Sequence, residues 1–534
     1  MKLTFLGAAR EVAGSRFLLE ACQKRIMVDY GMEQGVDLFE NAPLPIMESE
    51  IDCVLLTHAH IDHSGRLPLL SKLGFSGQVV TTDATADLCR IMLRDSAHIQ
   101  EFEAQWRNRK AQRAGLPAYE PMYTMADAEQ TLTQFMAYPY GERVEVFDGV
   151  AISFIDAGHL LGSASIYIEV TEGDQRRTLL FSGDLGNRDR PLIRDPQMPP
   201  EADFVVIEST YGDRTHGPRP DYVSQLSRIL QDTFDRGGNV VIPSFAIGRT
   251  QELLYLIRVI REQKLLRGHQ DFGVYVDSPL AVEATRIYSS GLTDYYDEET
   301  LELLSRGIDP ISFPGLRLSV TSDESKLINE DRSPKVILSA SGMCEAGRIR
   351  HHLKHNLWRP DSTVLFVGYQ AEGTVGRKLV DGADSVRLFG EEIAVRCHIE
   401  VMAGISGHAD RDMMLEWLGH RDHPPKKVFV NHGDDEVCDH FAAAVTEKLG
   451  YTATAPFSGD EFDLITGECT ARGVVVKITK VSDGRRRANT IFEKLLAAGK
   501  RLLAVIQSSK GLSNKELARF TDQVNQLCDK YEKK

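Results

Sequence analysis

The chain has 534 residues, of which 42% are apolar and 26% charged, as is typical of a globular protein with two or three hydrophobic cores. Its formal net charge of −15 excludes a general attraction to polyanions, so a nucleic acid would have to be bound locally. The sequence contains no run of about 18 apolar residues and no Cys-x-x-Cys pair among its eight cysteines. We therefore expect no secretory leader, no membrane insertion, reduced thiols and a cytoplasmic protein.

Short β-branched runs recur through the first 208 residues and predict a sheet-rich unit. Several of these runs are followed directly by a polar or ionisable residue, and strand ends that meet at one edge of a sheet form a rigid platform for a site. The predicted strands are 3–6, 17–20, 26–29, 54–57, 78–81, 152–157, 166–170, 178–182 and 204–207.

The pattern changes from about residue 209, where strands alternate with glycine turns and helical segments. Predicted strands at 239–243, 336–339 and 363–368 are each followed by such a segment, which is the order of a parallel α/β layer, and a further strand lies at 272–277. Apolar runs at 399–402 and 427–430 look like strands of the first unit. We infer that a first domain, 1–208, is interrupted by an insert, 209–394, and resumes at 395–476.

The C-terminal extension, residues 477–534, is basic, with 14 Lys or Arg against 6 Asp or Glu. Its sequence predicts two amphipathic helices, the second of which opens with a capping box formed by Ser513 and Glu516. Apolar residues follow in heptad spacing at positions 517, 520, 524, 527 and 531. The helices either pack against this chain or a sister chain, or form a basic arm that holds RNA phosphates.

The strongest motif is the segment 57–65, which follows directly after an apolar strand. It holds four potential metal ligands within six positions, a spacing that fits neither a helical face nor a packed core. Imidazole nitrogen and carboxylate oxygen suit Zn²⁺, and alternate side chains of one tight turn can serve two neighbouring ions. The ligands in this segment are His58, His60, Asp62 and His63.

Two further ligands are expected just past later strands, at His159 and Asp184. Taken singly, each is equally well a turn-stabilising residue, but beside the first motif each is predicted to bind metal. These motifs resemble the metallo-β-lactamase superfamily of hydrolases over residues 1–208 and roughly 395–476. The resemblance implies an αββα sandwich in which Asp29 supports the metal histidines from behind, a role compatible with capping nearby backbone N–H groups.

Six separated motifs in the expected order resemble the β-CASP nuclease subfamily, and they lie at 207–212, 243–252, 277–279, 339–343, 406–410 and 431–434. Within it they are most similar to the RNA-processing branch that includes the cleavage-and-polyadenylation endonuclease and its prokaryotic relatives. The resemblance runs from about residue 1 to 470 and implies an α/β protein whose inserted domain is a parallel α/β layer. It matches Glu208, His408 and His432 to motifs A, B and C, and a histidine at motif C is typical of the RNA enzymes.

The resemblance also implies two Zn²⁺ ions, with Mn²⁺ as the alternative for nitrogen and oxygen ligands. A hydroxide shared by the ions is the expected nucleophile, and Asp62 is counted as catalytic as well as metal-binding. His408, held by Glu208, is the candidate general acid. One ion is expected at His58, His60, His159 and Asp184, and the other at Asp62, His63, Asp184 and His432.

Three residues of the insert are candidates for binding phosphate or RNA: Arg249, Ser278 and Ser341. Around Ser341 a strand passes through the small residues 339–342 into a predicted helix, whose N-terminal N–H groups favour an anion. Arg249 equally suits an internal ion pair. The basic segment 348–352 is more simply a solvated helix face.

The leading hypothesis is a zinc-dependent ribonuclease that cuts single-stranded RNA in RNA processing or decay, leaving a 3′-hydroxyl and a 5′-phosphate. The sequence leaves endonuclease and 5′-to-3′ exonuclease activity both open. A thioesterase-like hydrolase of small molecules would explain the metal site but leave motifs A to C unused. A catalytically silent RNA-binding scaffold is the third hypothesis, although all seven ligand positions are filled. The family habit and the heptad spacing are compatible with a homodimer.

Overall fold

The structure is a computed structural model that describes residues 1–35, 38–115, 117–402, 404, 406–478, 499, 502–503, 506 and 513–531. Its main sheets have eight, seven and six strands. The first of the two predicted C-terminal helices lies almost entirely outside the described residues. Within the described parts of the chain, no helix is long and apolar enough to cross a membrane.

The first sheet has eight strands and begins at the N-terminus of the chain. Its central strands pair antiparallel, whereas the strands on one side of them are parallel neighbours. In spatial order they are β23 (Cys469–Ala471), β22 (Glu461–Asp463), β1 (Lys2–Gly7), β2 (Arg16–Ala21), β3 (Lys24–Tyr30), β4 (Cys53–Leu55), β5 (Gln78–Thr81) and β6 (Phe135–Ala137).

The second sheet has seven strands and packs face to face against the first. Their shared core contains Phe5 and Phe17 from the first sheet and Phe181 and Phe429 from the second. This is a β-sandwich held by apolar side chains from two inner faces. In spatial order the strands are β21 (Ala453–Thr454), β20 (Lys427–Val430), β11 (Phe204–Ile207), β10 (Gln175–Phe181), β9 (Ala164–Glu172), β8 (Val150–Asp156) and β7 (Val144–Phe147).

The third sheet has six parallel strands and forms the core of the insert. Alternate side chains enter two different cores: Val240 and Ile242 face one side, and Val241 faces the other. Burial on both faces explains why these strands are continuous apolar runs. In spatial order they are β14 (Leu316–Ser319), β13 (Gly273–Asp277), β15 (Lys335–Ser339), β12 (Val240–Pro243), β16 (Thr363–Phe366) and β19 (His398–Val401).

The return to the first domain differs from the sequence prediction, which placed it at residue 395. Strand β19 pairs in parallel with β16, with Ile399 opposite Val364, and is therefore the edge strand of the inserted sheet. A separate hairpin, β17 (Ser385–Leu388) and β18 (Glu391–Ala394), precedes it. The first domain resumes after Val401. A short apolar run records that a segment is a strand but not which sheet it joins.

Helices cover the outer faces of all three sheets, as expected for an αββα sandwich with an α/β insert. The predicted fold is confirmed. The helices of the first domain are α1 (Ile61–Ser64), α2 (Leu67–Lys72), α3 (Asp83–Arg113), α4 (Met125–Leu132), α12 (Arg411–Gly419) and α13 (Asp435–Leu449). Those of the insert are α5 (Tyr222–Asp235), α6 (Arg249–Glu262), α7 (Pro279–Tyr288), α8 (Glu298–Ser305), α9 (Ser322–Glu330), α10 (Ile349–Asn356) and α11 (Val375–Val380).

The second C-terminal helix, α14 (Asn514–Tyr531), begins where the sequence predicts. Ser513 and Glu516 form the expected capping box: the Glu516 carboxylate accepts from the Ser513 backbone N–H at 3.1 Å, and Ser513 Oγ accepts from the Glu516 N–H at 3.4 Å. No residue of α14 is buried against the described parts of the chain.

Candidate metal centre

The candidate metal-binding side chains lie just past strands of the two sandwich sheets. The segment 57–65 follows β4, His159 follows β8, Asp184 follows β10 and His432 follows β20. One short turn of helix, α1, folds the segment compactly, because the carbonyl of His60 accepts the N–H groups of His63 and Ser64. Residues separated by up to 374 positions in sequence therefore meet at one edge of the sandwich.

A first group of ligand atoms comes from His58, His60, His159 and Asp184. Nδ1 of His60 lies 3.1 Å from Nε2 of His58 and 3.2 Å from Nε2 of His159. Oδ2 of Asp184 is 3.6 Å from Nε2 of both His58 and His159. Four nitrogen or oxygen ligands held tetrahedrally by zinc lie about 3.3 Å apart, so these distances fit the ion.

A second group comes from Asp62, His63, Asp184 and His432. Nε2 of His63 lies 3.1 Å from Nε2 of His432 and 3.3 Å from Oδ1 of Asp184. Oδ2 of Asp62 is 3.5 Å from Nε2 of His432 and 3.9 Å from Nε2 of His63. Asp184 contributes one carboxylate oxygen to each group, so it is common to both.

Asp184 gives an independent test of whether a metal fits. Its Oδ1 atom is buried, and none of the described residues donates to it in hydrogen-bonding geometry. A buried carboxylate oxygen without such a donor is costly unless a cation lies against it. The donor set of imidazoles and carboxylates is the one that zinc prefers in catalytic sites, so the residues present fit two such ions.

Asp29 lies behind the centre, at the end of β3, and orients one of the ligands. Its Oδ2 atom accepts the Nδ1–H of His63 at 2.7 Å, which leaves Nε2 of His63 facing the second group. Its Oδ1 atom accepts the N–H of Thr57 at 2.9 Å, and Ser15 Oγ also donates to the carboxylate. Such a carboxylate fixes both the tautomer and the orientation of a ligating histidine.

His408 and Glu208 lie beside Asp184 and form a pair. Nδ1 of His408 is 3.2 Å from Oε1 of Glu208, and the same carboxylate oxygen accepts the N–H of Leu185 at 2.6 Å. Burial alone would lower the pKa of His408, but the carboxylates of Glu208, Asp184 and Asp62 raise it to about 9. The His408 side chain is 23% exposed, so unlike Glu208 it is accessible from outside.

In contrast to His408, two of the other histidines have lowered pKa values. Burial, followed by repulsion from His408, lowers the pKa of His159. Burial and repulsion from His63 lower the pKa of His58 in the same way. The neutral imidazole is the form that binds a metal, so both rings are held in the binding-competent state.

Arg190 is a residue of the site region that the sequence analysis missed. Its guanidinium donates to the carbonyl oxygens of His159 at 2.6 Å and Gly407 at 3.1 Å, and it pairs with Glu252 of α6 at 2.6 Å. The Gly407 carbonyl also accepts the Nδ1–H of His159 at 3.0 Å. Arg190 thus connects the insert to the loops that carry His159 and His408. Its local sequence contains no motif that indicates this role.

None of the three predicted phosphate-binding residues belongs to the ligand groups. Arg249 forms an ion pair with Glu252 at 2.5 Å, which is the alternative considered from sequence. Ser278 is buried, and its hydroxyl caps α7 by accepting the N–H of Ala281 at 3.3 Å. Ser341 lies in a loop where its Oγ accepts the N–H of Ala346 at 3.3 Å.

The helix expected directly after Ser341 begins later than predicted, since α10 starts at Ile349. Cys344 adopts a positive φ of 63°, and a side chain at Gly347 would lie 2.3 Å from the Ala340 carbonyl. Both features interrupt helical geometry. The small residues therefore form a loop, which folds back so that the N–H of Ile349, the first residue of α10, donates to the Ala340 carbonyl at 3.2 Å.

Two residues of the basic segment before and within α10, Arg348 and His352, belong to an internal network, whereas His351 is exposed as the predicted solvated face requires. Arg348 donates to Oδ1 of Asp277 at 2.7 Å, and Nε2 of the buried His352 lies 2.6 Å from Oδ2 of the same carboxylate. Ser325 Oγ donates to Asp277 as well, at 2.5 Å. Only tertiary structure brings these groups together, so sequence spacing could not reveal the network.

Three family models match consecutive parts of the chain. Residues 9–244 match the metallo-beta-lactamase superfamily, 250–379 the Beta-Casp domain, and 392–456 the Zn-dependent metallo-hydrolase RNA specificity domain. Together with the ligand groups, these matches define a metal-dependent hydrolase.

Similar proteins cover nearly the same span. The chain is 38% identical over 439 residues to Ribonuclease TTHA0252 of Thermus thermophilus, covering 82% of this chain and 94% of the relative. It is 30% identical over 464 residues to Transcription termination factor FttA of Methanosarcina mazei, covering 84% and 69%. The Pyrococcus abyssi FttA is 28% identical over 484 residues, covering 87% and 71%. The chain belongs to the β-CASP family of the metallo-β-lactamase superfamily, and the predicted class, a hydrolytic RNA nuclease, is confirmed.

Proposed function

We propose that the protein is a zinc-dependent ribonuclease that hydrolyses phosphodiester bonds of single-stranded RNA in RNA processing or decay. The observation that carries this proposal is the meeting of seven imidazole and carboxylate side chains in two groups that share Asp184. The name of the Thermus thermophilus relative, a ribonuclease, supports RNA as the substrate. The matched RNA specificity domain supports it independently.

The first group of ligands would hold one zinc ion and the second group the other, with Asp184 shared and Asp29 fixing the orientation of His63. When bound, two such ions supply Lewis acidity, which stabilises charge on a phosphoryl group and activates water for attack. Mn²⁺ is the alternative ion for these ligands. The chain's contribution is to favour the neutral form of His58, His60 and His159, whose pKa values burial lowers. It also holds the ligands in place and excludes bulk water, since His58, His63 and Asp184 are buried.

His408 would act as the general acid. Its Nδ1–H donates to Glu208, so the ring is held in a fixed orientation and its other nitrogen, Nε2, is available to carry a proton to the departing ribose oxygen. Glu208 is in turn fixed by the N–H of Leu185, the residue directly after Asp184. The proton donor and the shared carboxylate are therefore parts of one rigid unit.

The test is a single-stranded transcript labelled both internally and at its termini, incubated with zinc-loaded protein and resolved over time. We expect products with 3′-hydroxyl and 5′-phosphate ends. Internal fragments that appear first indicate an endonuclease, whereas mononucleotides released from the 5′ end indicate an exonuclease. Intact transcript after incubation with protein that holds two equivalents of zinc would contradict the proposal.

A reducing, cytoplasmic location is part of the proposal, because all eight cysteines are free thiols. The homodimer stays a prediction. Its simplest check is the mass of the purified protein in solution, which we expect to be twice that of one chain.

A further inference from the structure

Two large aromatic side chains are exposed at the edge of the inserted sheet that faces the metal centre. Phe245 follows β12 and is 54% exposed, and Tyr369 follows β16 and is 64% exposed. The loop after β12 lies against the loop of His159, because a side chain at Gly248 would lie 3.2 Å from Leu160. The loop that carries Phe245 therefore lies at the junction of the two domains.

The chain segments that carry the two rings both contact the loop at Gly342. The ring of Phe245 lies 3.3 Å from the position that a side chain of Gly342 would take. The buried amide of Gln370 donates to the carbonyl oxygens of Gly342 and Tyr369, both at 3.1 Å. A side chain on Gly376 would strike the Gln370 amide oxygen, so this amide is held from behind. The exposed rings are thus mounted on a rigid support.

A third ring lies beside the metal centre. The ring of Tyr211 lies 6.2 Å from that of His408, and the guanidinium of Arg214 lies 5.5 Å from the Tyr211 ring. Strand β16, which precedes Tyr369, is the parallel neighbour of β19, which precedes His408, and the Met402 N–H donates to the Phe366 carbonyl at 2.8 Å. Tyr369 and His408 therefore follow neighbouring strands that end at the same edge of the inserted sheet.

Nucleobases of single-stranded RNA are the ligand that fits exposed aromatic rings at this edge. Unpaired bases stack on aromatic side chains irrespective of sequence, and cations beside the rings attract the phosphates. Tyr211 is half-buried, whereas Phe245 and Tyr369 are free to take a base on an open face. Because the body of the protein is acidic, stacking supplies binding energy that general electrostatic attraction does not.

We propose that Tyr369 and Phe245 form a base-stacking platform that positions single-stranded RNA for cleavage beside His408. The proposal rests on the ribonuclease function proposed above and adds the residues that bind the substrate's bases. Each ring holds one base of the bound strand.

The first test compares steady-state cleavage of a short single-stranded RNA by zinc-loaded variants. For Tyr369→Ala and Phe245→Ala we expect KM to rise about tenfold each, with a smaller change in kcat. Tyr369→Phe keeps the ring and is expected to stay within about twofold of wild type. An equal loss in Tyr369→Phe would overturn stacking in favour of a role for the hydroxyl.

Trp358→Ala is the matched control. Trp358 is a ring of similar exposure, 54%, but it precedes β16 and therefore lies at the opposite end of the strand that leads to Tyr369. We expect wild-type kinetics from this variant. A loss as large as that of Tyr369→Ala would show that removing any exposed ring impairs the protein and would overturn the assignment.

The second test measures binding, so that its outcome does not depend on cleavage. Uncleavable 2′-O-methyl oligoribonucleotides, each with one abasic position, are titrated against zinc-loaded protein. In wild type we expect an abasic nucleotide at one or two positions to weaken binding about tenfold. In Tyr369→Ala, and likewise in Phe245→Ala, an abasic nucleotide at one of those positions should have no further effect on binding, because the ring that stacks on that base is already missing. An abasic profile that is identical in all three proteins would overturn the platform.

The two proposals fail in different ways. If wild type cleaves RNA and the aromatic variants retain its KM and its abasic profile, the platform alone is wrong. If wild type cleaves no RNA but binds the oligonucleotides with the expected profile, the ribonuclease function is wrong and the stacking surface stands.

Discussion

The metal centre and the facing edge of the insert are built from the same element, the loop that follows a strand, but they use charge in opposite ways. At the metal centre, carboxylates and imidazoles converge, and the ligand atoms of each group lie within 4.8 Å of one another. At the insert edge, Asp277 is paired internally with Arg348 and His352. Two large aromatic side chains, Phe245 and Tyr369, are exposed there.

The difference separates two tasks. Buried carboxylates and imidazoles that lie close together destabilise the fold unless a cation lies among them. The metal centre is therefore suited to metal-assisted hydrolysis. Paired charges that satisfy one another make a rigid frame that offers no binding energy for phosphate, so the insert edge is suited to holding a chain by its bases. The following experiments test this contrast, and they are ordered by their expected effect on turnover.

Removal of metal has the largest expected effect. Dialysis against a chelator should abolish RNA cleavage, because the two ligand groups then have no cation to act on phosphate. Addition of Zn²⁺ should restore turnover, and Mn²⁺ should restore at least part of it. The measurement is the initial cleavage rate alongside metal content by atomic emission. Full turnover by metal-free protein would refute a catalytic role for metal at these ligand groups.

His408→Ala should lower kcat about a hundredfold, because a proton donor to the leaving oxygen is lost. Zinc content should stay at two equivalents, since His408 belongs to neither of the two principal ligand groups. His423→Ala, which removes an exposed histidine, is the control and should behave as wild type. Loss of zinc from the His408 variant would assign the residue to metal binding instead.

Asp29→Asn should lower activity or zinc affinity about tenfold, because the amide is a poorer acceptor for the Nδ1–H of His63. Asp52→Asn is the matched control at the other end of β3, where Asp52 binds Lys24 and the N–H of Arg25. Competition with a zinc-binding dye gives the affinities. Equal zinc affinity in both variants would show that Asp29 does not orient His63 for zinc binding.

Asp277→Asn should affect stability more than turnover, with a loss of about 3 kcal/mol, because it leaves Arg348 without its buried partner. Burial alone would raise the pKa of Asp277, but hydrogen bonds from His352, Ser325 and Arg348 lower it. Its contribution is therefore present above the unfolded-state pKa of about 4 and is lost as the pH falls below it.

Urea unfolding at pH 7 and near pH 3 measures this contribution. The difference between wild type and Asp277→Asn should shrink at the lower pH, while Asp323→Asn, at an exposed pair with Lys326, should change little at either. A constant difference at both pH values would mean that the carboxylate is not charged in the folded protein.

Much of the metal centre could be predicted from sequence, because its ligands lie in local motifs directly after strands. The segment 57–65 carries four of them in one turn, and the strands at 204–207 and 427–430 have the predicted bounds. Partners of distant residues could not be predicted in the same way. Arg348 and Arg190 have no local signature, since each acts on groups brought near only by the assembled sheets.

The segment 339–349 shows the limit of local pattern reading. Small residues after a strand are typical of an anion-binding turn into a helix, but here Gly342 packs beside Phe245 and the helix begins at Ile349. The strand at 398–401 has an apolar pattern that suits either sheet, and only its pairing with β16 decides between them. In both places the structure is decided by which residues pack alongside the segment, which its own conformational propensity does not reveal.

The position of Asp184 also bears on how the protein acquires its ions. One carboxylate offers Oδ2 to the first group and Oδ1 to the second. If the proposed pair of ions binds, this shared carboxylate would couple the two groups, so that an ion held by one group changes the affinity of the other. Zinc occupancy measured against free zinc should then depart from the curve of two independent sites.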